Sequence, residues 1–186
     1  MTESQPHVQT LIRLAEPEDV PLILDLIHAL AEFEREPESV QMTEATLLRD
    51  GFPSRRVGDA RTGEPDSTAS RCFECLIAEV DGAAAGFALF FPIYSTWQGG
   101  SLYLEDLFVR PEFRGHGIGK ALLSRVARIA ADRGCARLQW AVLEWNQPAI
   151  DFYHSIGAKM LSEWRGMRVT GRDIETLAAL DETSGI

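Results

Sequence analysis

The stretch VRPEFRGHGIGKALL, Val109 to Leu123, sets glycines at 115, 117 and 119 between a strand-like run and a helix-like one. The helix that begins near Gly117 repeats Ile118, Leu122, Val126, Ile129 and Ala130 on one face, the spacing of a helix packed on a sheet. Its opening turn has backbone N–H groups without intrahelical acceptors and the positive end of the helix dipole. Glycines let a ligand come close to that backbone, so the stretch reads as an anion site, most simply for phosphate. Arg114 and Lys120 add positive charge at the same place. A Walker loop is excluded, because Lys120 is followed by Ala121 and the glycine spacing is wrong. A dinucleotide fingerprint is excluded too, since it needs glycine where Lys120 stands. What remains is R-x-x-G-x-G, on Arg114, Gly117 and Gly119.

Upstream, Leu11 to Leu14 reads as a short strand. Pro17, Glu18 and Asp19 suit the start of a helix whose Val20, Ile23, Leu24, Ile27, Leu30 and Ala31 make one buried face. A second short helix is expected from Thr43 to the stop DGFP. The segment 54–71 reads as a long surface loop inside one domain. CFECLIAEV, the Asp81–Gly82 pair and AAAGFALFFPIY form a strong hairpin signal. SLYLEDLFVRP is the strand that feeds the glycine stretch. Downstream come a strand in ARLQWAVL, the segment EWNQPAIDFYHSIGA, a strand in WRGMRVTG and a short helix from Ile174. The expected fold is therefore α+β, one domain over 1–186 around one sheet.

The chain of 186 residues is 45% hydrophobic and 25% charged, which fits one globular domain with a sizeable core. Its formal charge of -10 argues against a nucleic-acid binder that works by counterion release, and it suits a cationic partner. No run of roughly 18 apolar residues predicts a membrane span. The opening residues lack the layout of a signal peptide, and three cysteines make no disulfide framework, so a cytoplasmic setting is expected. Cys72 and Cys75 form a C-x-x-C within a strand-like run, with no second pair to complete a zinc site. No metal is expected.

The R-x-x-G-x-G pattern between strand and helix resembles the pyrophosphate-binding motif of the GCN5-related N-acetyltransferases. LYLEDLFVRPEFRGHGIG and EWNQPAIDFYHSIGA are similar in particular to the diamine acetyltransferases, the spermidine/spermine and thialysine group. The resemblance runs from about Leu11 to Leu180. It implies a mostly antiparallel sheet with helices on both faces, and a splay between the fourth and fifth strands that holds acetyl-CoA. It further implies a homodimer. The backbone of Leu107, Phe108 and Val109 would meet the pantetheine. Arg114, Gly115, His116, Gly117, Ile118, Gly119 and Lys120 would hold the pyrophosphate, with the His116 backbone and not its ring in contact. Asn146 would touch the coenzyme and also cap the next helix.

Acetyl transfer to an amine needs the ammonium to lose a proton and the leaving thiolate to gain one. An alkylamine is neutral in roughly one molecule in 2,500 at pH 7, so a carboxylate that collects the proton through water matters. Glu105 is the expected base. Asp106, its neighbour, points to the other face unless a bulge re-aims it, and would help to bind the amine. A β-bulge near Asp106 would also splay this strand from ARLQWAVL. Tyr153 is the expected acid, in the family's position beside the sulfur, because a phenol's pKa lies near that of a leaving thiol. By spacing alone Tyr153 reads as a core residue, and the acid role comes from the resemblance. His154 reads as surface.

Glu34, Glu38 and Asp106 are candidate amine-binding acids, and Trp97 is a candidate wall for the carbon chain. The polyamine enzymes carry a YEY-like segment where this chain has Phe33, Glu34 and Arg35, and Arg35 would repel a long polycation. That favours a thialysine-like amino acid or a small diamine. Two other readings stay open: acetylation of a protein lysine or N-terminus, and a non-catalytic acyl-CoA sensor.

Overall fold

The computed structural model describes residues 10–53 and 71–183. The expected loop over 54–71 lies, but for Arg71, outside the described residues. The chain divides into two compact units between Ala141 and Val142.

The first unit runs β1 (Thr10–Leu14), α1 (Val20–Glu34), α2 (Glu44–Gly51), β2 (Glu74–Val80), β3 (Ala83–Ser95), β4 (Gly99–Val109), α3 (Ile118–Asp132) and β5 (Leu138–Gln139). The strands form one sheet in the order β1-β2-β3-β4-β5. Every pair is antiparallel except β4 with β5. Between β2 and β3 the Asp81–Gly82 turn has positive φ at both residues, 50° and 81°, which is the geometry that makes Asp-Gly a hairpin turn.

Alternation along the strands gives the sheet two apolar faces. On one, Cys75, Ile77, Phe87, Leu89 and Phe108 pack with Ile23 and Leu26 of α1 and Leu47 of α2. Leu76, Ala88, Leu102 and Leu104 are buried on the other. There α3 lies along β3 and β4 with Ile118, Leu122 and Val126 inward. Cys75 is buried, and burial pushes its thiol well above the ordinary range, while Cys72 is exposed. Neither is poised as a nucleophile or a ligand.

Helix ends follow their local chemistry. Thr43 caps α2, its hydroxyl accepting from the Thr46 N–H at 3.2 Å. At the start of α1, Arg13 of β1 donates to both oxygens of Asp19, at 2.6 and 2.8 Å, and to Glu79 of β2 at 2.9 Å. That ties the first turn to the sheet. The other end of α1 closes with Arg35 at φ 66°, and the Glu36 N–H returns to the Ala31 carbonyl at 2.9 Å. This is a left-handed cap in which an arginine holds the place usually given to glycine.

The second unit contains α4 (Gln147–Ser155) and α5 (Arg172–Thr183). The strand expected in WRGMRVTG does not form. A strand exists through the ladder it shares with a partner. Residues 164–170 join no sheet, and Trp164, Met167 and Val169 are exposed, so no face of the segment is buried. The strand expected in ARLQWAVL shrinks to two residues, Leu138 and Gln139, for a reason that belongs to the site.

Candidate active site

The site of the first unit begins with an irregularity in β4. Opposite β3, Leu89 faces Asp106 and Phe90 faces Leu104, so Glu105 is one residue too many. This is a β-bulge, and it reverses the side-chain alternation beyond it. Without it Leu102, Leu104, Asp106 and Phe108 would share a face. With it, Leu102 and Leu104 stay on the α3 side, while Asp106 and Phe108 turn to the α1 side with their partners Leu89 and Phe87. Glu105 itself is exposed and Asp106 is half-buried.

The same place ends the contact with β5. The parallel pairing covers only Leu102 with Leu138 and Tyr103 with Gln139. Past Tyr103 the pairing ends, and the β4 backbone over 104–109 has no ladder on that side among the described residues. Spare N–H and C=O groups of this kind are what an extended, amide-bearing ligand needs.

On the α1 face a pocket of about 180 Å³ is lined by Ile27, Leu30, Ala31 and Glu34 of α1, by Glu36, Ser39 and Val40 beyond it, and by Asp106. Burial first, then the charges of Glu105 and Glu34, push the Asp106 carboxyl up to about 7. Burial raises the Glu34 carboxyl as well. Three acids, Glu34, Glu36 and Asp106, thus line one partly enclosed site, and no described cation pairs with them there, a charge that a bound ammonium would balance. Burial, and after it the charges of Glu105 and Asp106, raise the neighbouring Tyr103 phenol. Glu38 sits on the short turn Pro37–Ser39 and does not line this pocket. Trp97 is 86% exposed in the β3–β4 turn, at the end of the hairpin away from the bulge, and does not line it either.

Beyond β4, Arg110 fastens the chain to β3 and α1. Its N–H meets the Ala85 carbonyl at 2.8 Å and its guanidinium reaches the Ala84 carbonyl and Asp25. A short turn, Pro111–Phe113, then brings the glycines to the start of α3. Gly115 and Gly117 are left-handed, at φ 81° and 79°, and a Cβ at either would meet open space. Gly117 is the residue before the helix. The room next to these backbones and the free first turn of α3 fit a pyrophosphate. Lys120 is exposed on that turn. The Arg114 side chain behaves differently from the expectation of a phosphate-facing charge. It donates to the Val109 carbonyl at 2.8 Å and lies 4.5 Å from the centre of the Phe33 ring and 5.6 Å from that of Phe108.

In the second unit, the Asn146 side chain caps α4 by accepting from the Ala149 N–H at 3.4 Å. Tyr153 is half-buried in α4, its ring tilted against Phe152, and burial pushes its phenol up. His154 is exposed. Among the described residues no group of histidine, cysteine and acidic side chains is arranged to hold a metal ion.

One feature was out of reach of the sequence: the ring of Phe33 meets Arg114 across 81 positions of chain, so no local pattern announces it.

Comparison with known proteins agrees with this geometry. Residues 28–158 match the model of the acetyltransferase (GNAT) family. The pig thialysine N-epsilon-acetyltransferase is 38% identical over 179 residues, covering 90% of this chain and 96% of that protein. The L-ornithine N5-acetyltransferase of Arabidopsis thaliana is 36% identical over 206 residues, covering 92% of this chain and 87% of that one. Among solved structures, an aminoglycoside N-acetyltransferase in complex with CoA superposes with a TM-score of 0.63 at 20% identity, covering 92% of this chain and 99% of that one. The chain belongs to the GNAT acetyltransferase family and is an N-acetyltransferase. Within that family it falls in the diamine acetyltransferase group, beside the thialysine and spermidine/spermine enzymes.

Proposed function

We propose that the chain transfers an acetyl group from acetyl-CoA to the primary amine of a small molecule, a thialysine-like amino acid or a short diamine. The observation that carries this reading is the pocket that Glu34 and Asp106 share under α1. At about 180 Å³ it lies below the usual range for drug-sized ligands, and it offers three acids, Glu36 included, to a cation. A short amine suits it better than a long polycation, as Arg35 next to Glu34 also suggests. The names of the thialysine and ornithine relatives agree with a short amino acid bearing a terminal amine.

In this reading the backbone of Leu107, Phe108 and Val109 receives the pantetheine. Residues 114–120 receive the pyrophosphate, chiefly through the amides around Gly115, Gly117 and Gly119. The thioester then supplies an activated acetyl group. Asp106 and Glu34 hold the ammonium. Glu105, exposed on the bulge next to them, takes its proton through water, and the neutral amine attacks. Tyr153 of the second unit is assigned as the acid that protonates the departing thiolate, on the strength of the family resemblance. Asn146 is assigned a coenzyme contact on the same ground. One observation favours a second assignment of the base: the Asp106 carboxyl, near 7, already matches a proton acceptor at neutral pH. Glu38 and Trp97 have no part in the proposed amine pocket. The whole chain is read as one acetyltransferase domain, homodimeric and cytoplasmic.

Single-residue variants separate these roles. Removing a general base typically costs about 10²- to 10⁴-fold in rate. Glu105→Gln is expected to lower kcat by that order with acetyl-CoA affinity kept, and Asp106→Asn to raise the KM for amine with a smaller loss of kcat. The reverse pattern would move the base to Asp106. Full activity in both variants would remove the carboxylates from the chemistry altogether.

A further inference from the structure

We propose that Phe33 is a positioning residue that links the coenzyme loop to the amine pocket: its ring holds Arg114, so that coenzyme binding at the glycines steadies the end of α1. The inference rests on the coenzyme-binding reading given above and adds a residue to it. Arg114 immediately precedes Gly115, the first left-handed residue of the loop. Its guanidinium does not point away to solvent alone. It sits against three groups: the Phe33 ring at 4.5 Å, the Phe108 ring at 5.6 Å and, through Nε, the Val109 carbonyl at 2.8 Å.

Those groups come from two elements, the end of β4 and the last turn of α1. Each also carries one acid of the pocket, since Asp106 is two residues before Phe108 and Glu34 follows Phe33. One cation therefore touches both walls of the amine site and the first residue of the loop. Leu30 and Phe33 near the end of α1 also pack on the core, whereas Arg35 and Glu36 beyond them are exposed. The helix closes through the left-handed Arg35 and the return of the Arg35 and Glu36 N–H groups to carbonyls of the last turn. Exposed backbone just past the last packed turn opens more readily than the body of a helix. The Val109 carbonyl accepts the Nε–H in the plane of the guanidinium, which leaves the faces of that plane for the aromatic rings.

A phosphate at the loop would draw Gly115 and Gly117 into one conformation and fix Arg114 with them. The aromatic contact then transmits that order to Phe33 and Glu34, so the amine pocket is set when the acetyl donor is already bound. The coupling is reciprocal: whatever steadies the end of α1 also favours coenzyme binding.

The test uses the full chain with coenzyme A as the probe, in wild type, Phe33→Leu and Phe33→Tyr, each first checked for an unchanged melting transition. Calorimetry gives the affinity. Amide hydrogen exchange over residues 31–36 gives the order of the helix end. A cation–aromatic contact at a partly exposed site is worth roughly a three- to tenfold change in affinity. Wild type and Phe33→Tyr are expected to bind coenzyme A alike and to gain protection at Arg35 and Glu36 on binding. Phe33→Leu is expected to bind roughly three- to tenfold more weakly and to gain no protection there. Protection unchanged by coenzyme A in wild type would overturn the proposal, as would a Phe33→Leu chain that binds and protects like wild type. No binding heat in wild type is a separate result, because it removes the coenzyme reading itself.

Discussion

Asp106 is held where an isolated carboxylate is uncomfortable, and the sign of that cost is testable. Burial and the two neighbouring acids raise its folded pKa to about 7, against the ordinary range near 3.8. Between those values the folded chain holds a proton that the unfolded chain has lost. The contribution of this group is therefore most favourable in acid and is lost as pH rises through about 7. Asp106→Asn is expected to stabilise the chain, by up to about 4 kcal/mol at pH 8 and by clearly less at pH 5. Thermal unfolding at the two pH values checks this, and an equal gain at both would contradict it. Arg35 is a second residue in an awkward place. Its left-handed backbone favours glycine by about 1 kcal/mol, so Arg35→Gly is expected to raise the melting temperature by a few degrees. A lower melting temperature would mean that the arginine side chain makes a contact worth more than the strain.

The β3–β4 pair is the element on which the site depends. At Gly86 the strands approach so closely that a Cβ would lie 2.3 Å from the Phe108 carbonyl oxygen, an atom of the backbone with no rotamer to move aside. Gly86→Ala is expected to destabilise the fold by about 1–3 kcal/mol and to weaken coenzyme A binding, since Phe108 and Val109 must shift. Chemical denaturation and calorimetry read the two effects, and an Ala variant with native stability and affinity would show that β4 is freer than its packing implies. Much of this element was legible beforehand. The Asp-Gly turn, the glycine loop and the apolar face of α3 are local patterns, and each sits where its residues said. A bulge near Asp106 that re-aims its side chain is among the expectations from sequence, and the β3–β4 register shows one, but the pocket that Asp106 then enters is built with α1 and has no local pattern. WRGMRVTG misled for a related reason. Its residues suit a strand, but only a neighbour can make one, and none among the described residues pairs with it.

At the scale of the whole molecule, the charge of -10 bears on how an amine arrives. An acidic surface concentrates a cationic substrate, and salt screens that attraction. The kcat/KM for a cationic amine is expected to fall severalfold between roughly 20 and 300 mM NaCl, with kcat little changed. A value indifferent to salt would confine recognition to the pocket. No helix among the described residues is long and apolar enough to cross a membrane. The homodimer proposed on the family resemblance is checked by light scattering at micromolar concentration, where a monomeric mass would dismiss it.

The most direct measurement is release of free coenzyme A from acetyl-CoA in the presence, one at a time, of thialysine, lysine, putrescine, spermidine and a lysine-containing peptide. The pocket of Glu34 and Asp106 predicts turnover with the short amines, much less with spermidine, and none with the peptide. Efficient acetylation of the peptide, or tight acetyl-CoA binding with no amine turned over, would contradict the small-amine account and move the chain to the protein-acetylating or the sensing reading.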